Sequence, residues 1–370
     1  KGYYGITFII GLGFFTMGLM DPLYDTYVPM FLTNFLRSDG IVGLIMGIDN
    51  LFALLLIPIV SALSDKTRTP IGRRMPYILV TLPMTAIFFG LLPVSALRSL
   101  AFLVIIIFFL NVFKQAARGP VVALMPDIIP GDLRSEANGV INTMGGIAAI
   151  VGTVFLARLY DVNITIPIFG STLVPFPGNS IRASGEAAIG SLPFITSGLL
   201  VIIVTLLLFL LVKEKKAAKS EEGEERIPVL KSLKMVFTAE DKSALFILFS
   251  ILFWFIGYQG VLPWIGIYGV DFLDLTPGTA ALSAGMVGIS YAIFAIPSGI
   301  VAHKIGRKKT IRISLAVLTI LTFIMYFHHP FTSRLGLSRT VTLVSFWSML
   351  FLFGIFWGAV VTNSFPMLWQ

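Results

Sequence analysis

"GFFTMGLMDPLYDTYVPMFL", residues 13–32, has the length and apolar flanks of a membrane-crossing helix, yet Asp21 and Asp25 interrupt it together with Pro22 and Pro29. A hydrocarbon core is crossed by about 20 helical residues, so the stretch reads as a span with two acids in its middle. The composition puts the whole chain in the same solvent. Of 370 residues, 56% are hydrophobic and only 12% charged, far from the usage of a soluble domain. Further stretches of spanning length fall at about 41–63, 76–97, 100–124, 138–158, 192–212, 243–270, 280–302, 309–328 and 341–365, with the first extending over 5–36. Their interiors carry Gly and Pro, which neighbouring helices tolerate in a membrane. The short alternating segments of a lipid-facing barrel are not seen. The expected fold class is all-α integral membrane with ten spans.

Basic residues orient such a chain, because Lys and Arg of short loops stay on the cytoplasmic side. One alternate set of loops, at 66–74, 134, 213–242 and 304–312, holds eighteen of them; the other holds six, at 37, 98, 158, 182, 334 and 339. The first set and both natural termini are therefore expected in the cytoplasm. The net charge of +8 is mostly this topology signal, not a nucleic-acid patch, and the partner it implies is the lipid bilayer. Zero cysteines exclude disulfides and cysteine metal sites, and no metal site is expected.

The segment "KEKKAAKSEEGEERIPVLKSLKMVFTAEDK", residues 213–242, is charged and has no spanning potential. It divides the chain into a six-helix bundle over 1–212, a cytoplasmic linker over 213–242 and a second bundle over 243–370. The loop at about 159–191 is rich in Gly, Pro and Ser and is expected outside; its Asn163-Ile164-Thr165 triplet fits a glycosylation acceptor but carries no weight by itself.

The two parts repeat one another. "YDTYVP" (Tyr24 to Pro29) aligns with "YQGVLP" (Tyr258 to Pro263), and Gly72-Arg73-Arg74 falls on Gly306-Arg307-Lys308 at the same offset. "ALMP" (Ala123 to Pro126) matches "NSFP" (Asn363 to Pro366). If each half holds six helices, the eleventh and twelfth lie beyond Gln370, and residues 1–370 alone are not expected to transport.

"SDKTRTPIGRR" (Ser64 to Arg74) and "HKIGRKK" (His303 to Lys309) resemble the basic loop that the major facilitator superfamily repeats in each half. The longer form, followed by Met75-Pro76-Tyr77, is similar to the sucrose transporter and glycoside-pentoside-hexuronide:cation symporter branches, as is "RGPVVALMPDIIPGDLRSEANGV" (Arg118 to Val140). The resemblance implies two pseudo-symmetric six-helix bundles rocking around a central site lined by the first, fourth, seventh and tenth helices. The loop also has a physical reading. Gly72 permits a tight turn, and Arg73 and Arg74 can pair with Asp65 or approach carbonyls at a helix end. Asp65, Gly72, Arg73, Arg74, Gly306 and Arg307 are thus the gating candidates.

Ionisable groups within a bilayer cost about 3 kcal/mol on insertion scales and call for a partner, a watery cavity or a function. Five stand out. Asp21 and Asp25 share a face of the first helix, Lys114 and Arg118 share a face of the fourth, and Asp49 lies on the second. Counted from the outer helix ends they fall near the midplane, Arg118 about one turn deeper. The expectation is that Asp21 and Asp25 face Lys114 and Arg118, as a coupling site or as a static pair. Pro22 and Pro29 cannot donate to the carbonyls of Gly18 and Asp25, and bend the helix beside the acids. The corresponding positions in the second half are Phe255, Gln259, Gly354 and Gly358, so coupling is expected only in the first. The second half offers Trp254, Tyr258, Gln259, Trp264, Trp357 and Asn363, suited to sugar stacking and hydroxyl recognition or to ordinary membrane packing. Tyr24 completes the substrate and coupling set.

The pattern departs from the implied branches in two places. Ala53 and Ile57 occupy the positions of the paired cation-binding acids of melibiose-type symporters, and Val122 that of the arginine following Gly-Pro in sucrose transporters. The expected function is therefore secondary active transport by alternating access, as proton-coupled symport of a sugar or glycoside by a monomer of the cytoplasmic membrane. No cofactor is expected beyond the coupling ion, a proton or else sodium. The alternatives are an exporter or lipid or drug transporter of the same superfamily, or a membrane sensor that binds without translocating. Three His, no Cys and no nucleotide loop argue against an enzyme.

Overall fold

The computed structural model describes residues 2–129, 134–161, 166–168, 171–173, 191–212, 214, 237–238 and 241–364. Ten helices among them are long and apolar enough to cross a membrane. They fall on α1 (Gly2–Thr33), α2 (Asp39–Lys66), α3 (Met75–Arg98), α4 (Leu100–Ile128), α5 (Arg134–Ile150) with the turns that follow it, the span being Thr143–Tyr160, α6 (Leu192–Leu211), α7 (Ser243–Leu273), α8 (Pro277–Ile305), α9 (Arg307–Arg334) and α10 (Arg339–Ser364). A hairpin of β1 (Ile166–Ile168) and β2 (Ser171–Leu173), antiparallel, lies in the α5–α6 connection. The glycosylation triplet and most of the 213–242 linker fall outside the described residues.

Several helices overrun the spans expected from hydropathy because polar ends continue them. α1 runs for 32 residues through both prolines, about 48 Å at 1.5 Å per residue. Ser99 starts α4 by accepting from the Phe102 backbone N–H at 3.2 Å, satisfying one of the free donors of the first turn. α8 passes into α9 through Gly306, whose φ of 93° is accessible to glycine at little cost.

By backbone packing the chain divides into two compact units, one within 1–220 and 265–285, the other within 221–264 and 286–370. In the first, α1 lies against α5 and α6, α3 fits between α4 and α6, and α2 lies on α4. Membrane helices gain little from hydrophobic association and rely on close backbone approach at small residues. A Cβ on Gly18 would lie 2.5 Å from the Gly145 carbonyl oxygen, and one on Gly152 2.8 Å from that of Leu19. α5 changes there to a π-helical turn over Val151–Leu156 and a 3₁₀ turn over Ala157–Asp161. Tyr27 of α1 stacks on Tyr160 with ring centroids 4.4 Å apart and donates to the Ala157 carbonyl at 2.9 Å. The same unit takes in the end of α7 and the start of α8. Gly266 meets Thr26 and Met30, and Gly285 meets Thr153.

In the second unit α9 packs on α10, and Gly354 and Gly358 of α10 press against Val287, Ser290 and Tyr291 of α8. Gly119 of α4 makes the equivalent approach to Ile57 and Ser61 of α2 in the first unit. The repeated feature is a glycine contact; the charges beside it occur only in the first.

Candidate functional site

Asp21, Tyr24 and Asp25 come from α1, Asp49 from α2, and Asn111, Lys114, Gln115 and Arg118 from α4. On α4 the spacing 111, 114/115, 118 is that of one helix face. The Lys114 ammonium lies 2.8 Å from Asp21 and 3.3 Å from Asp49. It also sits 4.7 Å from the centroid of the Tyr24 ring, within cation–π range. Asn111 Nδ2 donates to the Tyr24 hydroxyl at 2.9 Å, and Gln115 Nε2 donates to Asp49 Oδ1. Tyr24, Asn111, Lys114 and Gln115 are buried, while Asp21, Asp25 and Asp49 are half-buried.

The pairing differs from the one expected. Lys114 binds Asp21 as foreseen, but its second carboxylate is Asp49 of α2, not Asp25. Among the described residues Asp25 and Arg118 form no ion pair. Arg118 is exposed and lies close enough to Asp21 to act on its charge. The reason is geometric: α2 and α1 flank α4 on the level of Lys114, whereas Arg118 lies one turn further towards the α2–α3 end. Asn111 and Gln115 were missed by reading only charges, although both are polar residues of an apolar span placed at helical spacing around Lys114.

A second polar cluster closes the α2–α3 end. Arg74, fully buried, gives Nε to Asp127 at 2.9 Å and Nη1 to the Ser61 carbonyl at 3.2 Å and to Ser64 Oγ, and pairs through Nη2 with Asp65. Arg73 pairs with Asp127 of α4 at 2.6 Å, not with Asp65 as its loop position suggests. Both guanidiniums thus tie the α2–α3 connection to the end of α4. Glu214, assigned by sequence to a solvated linker, is instead buried. Its carboxylate accepts the backbone N–H groups of Arg73 at 2.8 Å, Arg74 at 2.9 Å and Met75 at 3.0 Å, at the start of α3 where unpaired donors and the helix dipole favour an anion. Gly72 has a φ of 122° and any Cβ there would overlap the Glu214 carboxylate. The corresponding Gly306 has open space around it, and Arg307 begins α9.

In the second unit, Trp357 is buried between Tyr258, stacked at 4.2 Å, and Phe255, edge-on at 5.4 Å. One face of the indole is therefore committed to packing. Gln259 is exposed and Trp254 half-buried. Asn363 is buried and donates to the Ala359 carbonyl of its own helix at 2.8 Å. No group of three or more His, Cys, Asp or Glu that could hold a metal occurs among the described residues.

The chain resembles solved transporters over nearly its whole length. A D-xylose–proton symporter matches with a TM-score of 0.63 at 13% identity, covering 100% of this chain and 87% of that one. A bacterial homolog of the human lysosomal transporter Spinster, inward-facing and occupied, gives 0.61 at 15% identity, covering 98% and 73%. The nucleoside transporter NupG gives 0.61 at 14%, covering 98% and 85%. At these identities the likeness speaks for the fold alone. No curated protein sequence matches significantly. The Major Facilitator Superfamily profile matches residues 7–369, and the chain, a multi-pass membrane transporter by that kinship, belongs to the superfamily.

Proposed function

We propose that this transporter is a proton-coupled symporter of a sugar or glycoside, allied to the sucrose transporter and glycoside-pentoside-hexuronide:cation symporter branches. It works by alternating access as a monomer in the cytoplasmic membrane, with the α2–α3 end and both natural termini in the cytoplasm. The observation that carries the reading is one ammonium, Lys114, shared by carboxylates on two other helices, Asp21 and Asp49. With Asp25 and Arg118 the set holds three acids and two bases, so a single proton balances its charge. When Asp49 takes that proton, Lys114 is left to Asp21 alone, and the link from α4 to α2 weakens while that to α1 holds. Buried ion pairs that change partner in this way join a proton to a movement of helices. The network of Arg73, Arg74, Asp65, Asp127 and Glu214 braces the cytoplasmic end of the first bundle, and Gly306 with Arg307 serves the second. Trp254, Tyr258, Gln259, Trp357 and Asn363 supply sugar contacts from α7 and α10.

The test is uptake by the full-length protein in proteoliposomes. Asp21→Asn, Asp25→Asn and Asp49→Asn each remove gradient-driven accumulation of labelled sucrose or D-xylose while leaving exchange of the same sugar across the membrane. Full accumulation by these variants contradicts the carboxylate role. Accumulation of lysolipid in place of any sugar contradicts the substrate class.

A further inference from the structure

The structure assigns Gln115 a role beyond holding α4 to α2: we infer that its side-chain amide turns over to accept the proton of Asp49. The inference rests on the coupling reading, because it requires that Asp49 exchange a proton.

Both oxygens of Asp49 face donors. Oδ1 receives Gln115 Nε2–H, and Oδ2 faces the Lys114 ammonium at 3.3 Å, a group with three donors and no acceptor. An ionised carboxylate suits this arrangement. A protonated one gains an O–H for which neither Gln115 Nε2–H nor the Lys114 ammonium is an acceptor. Buried donors without acceptors bear the full cost of desolvation. The acceptor that is missing stands on the same amide. Gln115 Oε1 is buried without a hydrogen-bond partner, and the residue is 1% exposed.

The terminal torsion of glutamine is broad and roughly two-fold. A half-turn about it exchanges Nε2 for Oε1 opposite Asp49 without moving the backbone. The proton comes from water on the side to which the site is open, adds to a carboxylate oxygen of Asp49, and its O–H then donates to Oε1. On release the amide turns back and Nε2–H again serves the carboxylate. One amide group is unpaired in either orientation, so the turn adds no buried unpaired group. A fixed amide would leave the acid O–H without an acceptor among these neighbours. The other charged or titratable groups around Asp49 are Tyr24 and Asp25 on α1, both of which feel its charge, Asp21, which shares Lys114 with it, and Arg118, which acts on Asp21. Asp21 and Asp25 are acids in their own right, Tyr24 accepts from Asn111, and Arg118 is a donor, which leaves Gln115 as the neutral acceptor in direct contact. Gln115 is in this account a positioning residue: it acts through Asp49 and sets which protonation state the site can hold.

The test is difference infrared spectroscopy of the full-length protein in lipid, taken between alkaline and acid pH, with glutamine labelled by ¹³C at its side-chain carbonyl. Residues 1–370 hold three glutamines, Gln115, Gln259 and Gln370, and Gln115→Met assigns the band among all glutamines of the full-length protein. The expected result is a carboxylic-acid band, lost in Asp49→Asn, that grows on acidification together with a shift of the Gln115 carbonyl band to lower frequency, both at one midpoint. The shift disappears in Asp49→Asn, so the assignment survives even if Gln115→Met folds poorly. A merely structural contact moves no such band. If the Asp49 acid band appears while the Gln115 carbonyl is unchanged, the switch is wrong and the coupling reading stands. If no Asp49 acid band appears, Asp49 takes no proton and both fall.

Discussion

The ammonium of Lys114 on α4 lies 2.8 Å from Asp21 on α1 and 3.3 Å from Asp49 on α2, so one cation serves two carboxylates that belong to different helices. Lys114→Met leaves both without their shared countercharge. The two carboxylates left behind are half-buried, so the loss is about 1–3 kcal/mol, and a fall in Tm of the purified protein at neutral pH measures it. Pairing Lys114→Met with Asp49→Asn recovers part of that loss, since the second change removes one stranded charge. A double variant no more stable than additivity predicts would show that Lys114 and Asp49 do not interact.

Arg74 is the most committed side chain of the α2–α3 connection. Its guanidinium meets Asp65, Asp127, Ser64 and the Ser61 carbonyl with no exposed surface. Arg74→Met takes a fully buried cation from Asp65 and Asp127, leaving Asp127 to Arg73, and lowers stability by about 3–5 kcal/mol. Arg73, whose side chain is 24% exposed, is a partly solvated pair, and Arg73→Met costs no more than about 1 kcal/mol. Thermal unfolding of the two variants side by side checks the order.

Glu214 and Gly72 form one device. The carboxylate needs three backbone N–H groups in a cluster, and only a residue without a Cβ leaves it room. Gly72→Ala forces a left-handed backbone conformation on alanine, at about 1–3 kcal/mol, and displaces Glu214 as well. Gly306→Ala meets the conformational cost alone, because open space surrounds Gly306. Gly72→Ala is therefore the more destabilising of the two, by the Tm of each variant.

Periodicity and hydropathy were enough to find the ten helices, because twenty apolar residues in a row admit few alternatives in a membrane. Partners were harder. Asp49 was visible as a charge within a span, yet nothing in its own helix told that Lys114 would reach it, since the pairing depends on how α1, α2 and α4 come together. Asn111 and Gln115 carry no charge and were passed over, although burial makes their hydrogen bonds as consequential as the ion pairs. Glu214 lay among lysines in "KEKK", where composition reads as solvent-exposed linker. Its burial follows from the start of α3, some 140 residues away, which offers three unpaired donors. The glycine contacts of α4 on α2 and of α10 on α8 carry the repeat more faithfully than the polar residues do.

Accumulation of labelled sugar under an imposed proton gradient tests the central claim most directly. Proteoliposomes of the full-length protein, acid outside, are given sucrose or D-xylose, and internal pH is followed at the same time. The account predicts accumulation above the outside concentration with acidification of the lumen, and only equilibration, without acidification, for Asp49→Asn and Asp21→Asn. Equal accumulation by wild type and both variants, or sugar entry that brings no proton with it, would contradict it.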